Sequence, residues 1–83
     1  MTATVNHWVS IHVFLADTPL MEDYLCHHAI PCIRRWRREG WVRDWFFVRY
    51  WEGGPHLRLR LLCPENRAAD DFVPDFADGV VTR

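Results

Sequence analysis

Residues 45–60 read WFFVRYWEGGPHLRLR, and this stretch decides the fold. Two runs rich in aromatic and aliphatic residues flank Gly53-Gly54, a pair suited to a tight hairpin because glycine accepts positive φ. With Gly53-Gly54 as a two-residue loop, the expected pairs are Trp51 with His56, Arg49 with Arg58, Phe47 with Arg60 and Trp45 with Leu62. The opposite face then holds Tyr50 with Leu57, Val48 with Leu59 and Phe46 with Leu61. One face is apolar and the other combines arginine with aromatic rings. Pro55 falls at the end of the turn, where a missing N–H costs little.

In this register Arg49 and Arg58 oppose each other, with Arg60 one pleat further along. Like charges across a strand pair are destabilising. The offset is solvent, stacking on Trp51 or Phe47, an internal carboxylate, or a bound anion. Arginine forks match carboxylate and phosphate geometry, and aromatic neighbours hold their planes. The face therefore reads either as an anion site or as a solvated sheet face. His56 shares it with Arg58 and Arg60. It is either a proton-transfer group or a turn-proximal ring stacked on Trp51.

Upstream, His7–Phe14 (HWVSIHVF) alternates as a strand, with Trp8, Ser10, His12 and Phe14 on one face. Asp17-Thr18-Pro19 opens a helix, capped by Asp17 or Thr18, and Glu22 and Asp23 suit its positive end. Leu20, Tyr24, Ile30 and Ile33 form an apolar stripe. Pro31 predicts a kink or break near His27-His28. The helix resumes through Arg34–Arg38 and stops at Gly40. The fold expected is α+β: a small β-α-β-β layer with one long, proline-interrupted helix packed on a mostly antiparallel sheet. Residues 64–83 form an acidic tail broken by Pro64 and Pro74, expected either to move freely in part or to dock on a partner.

With 83 residues the chain is one domain at most, with a modest core. Its net charge of −1 hides a pattern, because residues 34–60 carry eight arginines against three acids while both ends are acidic. There is no lysine. The Arg34–Arg38 run with Trp36 reads as a nucleic-acid patch or, more commonly, as a solvated helix end. The five tryptophans and five phenylalanines are a heavy load for this length and point to a homo-oligomer or another partner.

Cys26, Cys32 and Cys63 are an odd set, and no secretory signal opens the chain, so free thiols in a reducing cytoplasm are expected. No stretch is apolar enough to span a bilayer. Cys26, His27, His28 and Cys32 match no strong zinc spacing, so no metal or other cofactor is expected. Gly53-Gly54 lies between strands, which excludes a phosphate-binding loop before a helix.

The stretch WFFVRYWEGGPHLRLRL resembles the signature near the start of the thiopeptide-type bacteriocin biosynthesis domain. This is also the C-terminal glutamate-elimination domain of lantibiotic dehydratases. An early strand with Trp8, the helix with Ala29-Ile30-Pro31, and Gly40 agree with it, so the resemblance spans about residues 7–63. It implies a part in making ribosomal peptide natural products. Full-length members remove glutamate from glutamylated serine or threonine; relatives close pyridine rings or append amino acids from aminoacyl-tRNA. Arginines of the matching strand hold negative charge, which maps onto Arg58 and Arg60.

No residue here matches the family's later catalytic histidine. Residues 1–63 thus read as a truncated elimination-domain-like unit. The expected role is an accessory or split subunit whose partners are a precursor peptide, a larger modifying enzyme or aminoacyl-tRNA, with no membrane. An autonomous oligomeric lyase and an inactive structural homodimer are the alternatives. The expected catalytic residues are Arg58, Arg60 and His56, with Arg49, Tyr50 and Trp51 binding substrate or anion.

Overall fold

The computed structural model describes residues 5–15 and 17–81, with backbone alone for 78–81. Residues 1–4, Ala16 and the last two residues of the acidic tail lie outside the described residues. The order is β1 (Asn6–Phe14), α1 (Thr18–Tyr24), a π-helical turn (Leu25–Ala29), α2 (Ile30–Arg38), β2 (Asp44–Tyr50), β3 (His56–Pro64), a 3-10 turn (Ala69–Asp71) and α3 (Val73–Val81). The first three helical pieces form one 21-residue helix, so the fold is the expected α+β layer in β-α-β-β order.

Asp17 caps this helix: its carboxylate accepts from the Leu20 N–H at 2.9 Å. Pro31 interrupts the helix without breaking it. A proline ring clashes with the carbonyl four residues back and offers no N–H. The π turn absorbs the mismatch by widening the coil, with the Ile30 N–H donating to the Leu25 carbonyl. The helix ends in a Schellman arrangement. Gly40 adopts φ +81, its N–H donates to Arg37, and the Trp41 N–H donates to Trp36.

The three strands are antiparallel in the order β1-β3-β2, which puts β3 at the centre. Val9, Ile11, Val13, Leu57, Leu59 and Leu61 point at the helix and are buried. Met21, Tyr24, Ile33 and Trp36 meet them from the helix side. The acidic segment after Pro64 contributes Phe72 and Phe76 to the same core. Their rings sit edge-on to Trp36 at 4.8 and 5.1 Å.

The hairpin register differs from the expected one by one residue. Tyr50 pairs with His56, Arg49 with Leu57, Val48 with Arg58, Phe47 with Leu59 and Phe46 with Arg60. The turn closes earlier than Gly53-Gly54 suggests: the Gly54 N–H donates to the Trp51 carbonyl, and both glycines have positive φ. Gly54 and Pro55 then lie on the β3 side of the loop, and every side chain of β2 changes face. The expected opposition of Arg49 and Arg58 does not occur. Trp51 lies in the loop rather than opposite His56.

Candidate functional site on the outer sheet face

The helix covers one face of the sheet, and the other face carries the polar chemistry. Four cross-strand rows run over it. They are Phe14–His56–Tyr50, His12–Arg58–Val48, Ser10–Arg60–Phe46 and Trp8–Leu62–Asp44. Because β3 is central, Arg58 and Arg60 are flanked on both sides. Ser10, His12, Arg58 and Arg60 make a polar window two residues by two. Aromatic rows frame it: Trp8 meets Phe46 edge-on at 5.4 Å at one end, and His56 lies among Phe14, His12 and Tyr50 at the other.

The arginines are held by rings rather than by acids. The Arg58 guanidinium lies 4.1 Å from the Tyr50 ring centroid, and its Nη1 donates to the Tyr50 hydroxyl at 3.2 Å. Arg60 lies 5.9 Å from the Phe46 centroid. Among the described residues neither is ion-paired, and the Nε of each is buried without a hydrogen-bond partner. Asp44, the acid on this face, spends its carboxylate on the Trp45 N–H. An unmet buried donor costs roughly 1–3 kcal/mol, so the pair is a poor arrangement for stability alone.

His56 is 5% exposed. Its Nδ1 donates to the Gly54 carbonyl at 3.0 Å, which leaves Nε2 buried with no partner. Tyr50 stacks on it at 5.5 Å with an 11° tilt, the place expected for Trp51. His12 has its pKa pushed below 6.5, first by desolvation and then by the neighbouring Arg58 and His56.

The structure therefore brings together Arg58, Arg60, His56 and Tyr50 and separates Arg49 and Trp51 from them. Arg49 points to the helix side, where it is paired with Glu22 and lies over Phe47. Trp51 is exposed in the loop. Ser10 and His12 are site neighbours that sequence reasoning did not connect to the arginines. The alternation of His7–Phe14 had placed them on one face, but only the long-range pairing of β1 with β3 sets them beside Arg60 and Arg58.

The Arg34–Arg38 run forms a solvated helix face, with Arg35 paired to Asp75 at 2.9 Å and Cys32, Ile33 and Trp36 turned inward. Within the Cys26–Cys32 group, Cys32 Sγ meets His28 Nε2 at 3.9 Å and the rest diverge. Cys26 is exposed, His27 pairs with Asp23, and His28 bonds the Asp75 carbonyl. Among the described residues no helix is long and apolar enough to cross a membrane.

A model of the lantibiotic biosynthesis dehydratase C-terminal family matches residues 8–81. The chain belongs to that family. Membership in the lantibiotic dehydratase C-terminal family implies a role in lanthipeptide biosynthesis. The match includes both strands that carry the window and extends past the hairpin through Phe72 and Phe76, so the segment that closes the core lies inside it. No curated protein and no solved structure gave a significant match.

Proposed function

We propose that this chain serves lanthipeptide-type biosynthesis as an accessory or split subunit. It would bind an anionic group of a precursor peptide, or of aminoacyl-tRNA, on the outer sheet face. One observation carries the reading. Of the arginines described, Arg58, Arg60 and Arg67 are half-buried, and Arg67 has Asp71 at 4.0 Å whereas Arg58 has the Tyr50 ring and hydroxyl and Arg60 the Phe46 ring, neither with a carboxylate. An incoming carboxylate would supply the acceptors they lack, and charge-assisted hydrogen bonds to arginine are among the stronger ones.

Elimination is the second reading: His56 Nε2 has no partner and would serve as the base once substrate displaces the His12, Phe14 and Tyr50 rings around it. In that step a base takes the Cα proton of a glutamylated serine or threonine, the Cβ–O bond breaks, and glutamate leaves as its carboxylate. A dehydroamino acid remains. Arg58 and Arg60 would stabilise the enolate-like intermediate and the departing anion, while the Gly54 carbonyl holds the His56 ring in one tautomer.

The test is co-purification of the tagged chain with its precursor peptide, read by mass spectrometry. The peptide should accompany the wild-type chain and be lost from the Arg58→Ala/Arg60→Ala variant while circular dichroism stays unchanged. Equal recovery with both chains would overturn the reading. Dehydrated peptide in the eluate would select the lyase.

A further inference from the structure

A groove of about 260 Å³ runs between the β1 edge and α3, lined by Ile11, His12, Val13, Phe14, Val73, Phe76 and Ala77. Side chains from both faces of β1 line it, so it follows the strand edge and opens beside the window through His12. The α3 residues are spaced i, i+3 and i+4, the separation that puts side chains on one helix face. We infer that this groove is a side-chain subsite: it takes the apolar side chain next to a peptide carboxylate held by Arg58 and Arg60, with His12 as the joining wall. The inference rests on the anion reading above and adds the chemical class of the ligand, an acidic residue beside an apolar one.

Two features of the groove select that occupant. Its volume is below the roughly 300–1,000 Å³ of small-molecule sites and suits one or two aliphatic side chains. Charge selects the rest. Unpaired cations stand on the window side, and Asp75, the acid of α3 among the described side chains, is engaged by Arg35. A second copy laid face to face would bring arginines against arginines. A nucleotide would offer the anion but no aliphatic group for a groove walled by Ile11, Val13, Val73 and Phe76. Desolvation and the neighbouring Arg58 and His56 lower the His12 pKa, and its ring lies between the groove and the window.

The experiment is a titration of the full chain with four probes followed by ¹⁵N spectra. The probes are acetyl-Glu-Leu amide, acetyl-Glu-Gly amide, acetyl-Gln-Leu amide and a short single-stranded RNA. The Glu-Leu probe should bind roughly tenfold or more tightly than either single change, with shifts at Ile11–Phe14 and Val73–Ala77. Ala77→Trp, which fills the groove, and Val73→Glu, which places a carboxylate in it, should each bring Glu-Leu down to the level of Glu-Gly.

Arginine-dependent binding that ignores leucine and both groove variants would overturn the subsite and leave the anion reading standing. No carboxylate-dependent binding at all would overturn both. Tighter binding of RNA at the same residues would overturn the peptide class.

Discussion

Arg58 and Arg60 differ from the other described arginines in their surroundings. Arg35 and Arg49 each hold a carboxylate at an exposed rim, and such pairs contribute about 0–1 kcal/mol. Arg58 and Arg60 lie over Tyr50 and Phe46 instead, contacts worth roughly 0.5–1 kcal/mol where exposed. Alanine at either position should therefore lower stability by about 1 kcal/mol or less in chemical denaturation and weaken carboxylate binding tenfold or more. Arg49→Ala should leave binding unchanged. His12 adds a pH dependence with a definite sign. Its folded pKa lies below the unfolded 6.5, so the unfolded chain binds more protons in that window and stability falls as pH drops through it. The melting temperature measured from pH 7.5 to 5 should decline less steeply in His12→Gln than in the wild type.

At the scale of elements, turns decide which side chains meet. Gly40 and Gly54 have φ of +81 and +106, and a Cβ at either would meet nothing within 4 Å, so the cost of a side chain there is purely backbone. Gly40→Ala and Gly54→Ala should each destabilise by about 1–2 kcal/mol, read from denaturation midpoints. The faces of β1 and β3 were legible in the sequence because Val9-Ile11-Val13 and Leu57-Leu59-Leu61 alternate with polar or exposed positions. Strand β2 was not legible in this way. In WFFVRY both faces are mostly apolar, so its pattern permits either register and the turn alone chooses. Gly53-Gly54 suggested a symmetric two-residue loop, whereas the bond from Gly54 to Trp51 closes the turn one residue earlier. That shift moves Tyr50 beside Arg58 and takes Arg49 away. The helix was legible from its Asp17 cap to its Gly40 stop. The form of the Pro31 interruption, a π turn, depends on how the widened coil packs and left no mark in the sequence.

Across the whole molecule, Trp36 joins the layers. It is 1% exposed and contacts Phe72 and Phe76 from the segment that follows the sheet. Phe72→Ala should cost about 3–5 kcal/mol, a large share of the 5–15 kcal/mol typical of natural domains, and circular dichroism should show a chain close to unfolding. The opposite side of the molecule is unusual in the other sense. Trp8, Phe14, Phe46 and Val48 are 45, 55, 45 and 37% exposed on a single sheet face, where they frame the polar window, and exposed apolar groups gathered on one face mark an interaction site. The central claim is that this face holds a carboxylate on Arg58 and Arg60. Its most direct test follows arginine side-chain ¹⁵N resonances while a glutamate-bearing peptide is titrated in. The account predicts shifts for Arg58 and Arg60, none for Arg49 on its Glu22 partner, and none for any arginine with the matched glutamine peptide. Unmoved Arg58 and Arg60 resonances at saturating peptide, or equal shifts with glutamine, would contradict it.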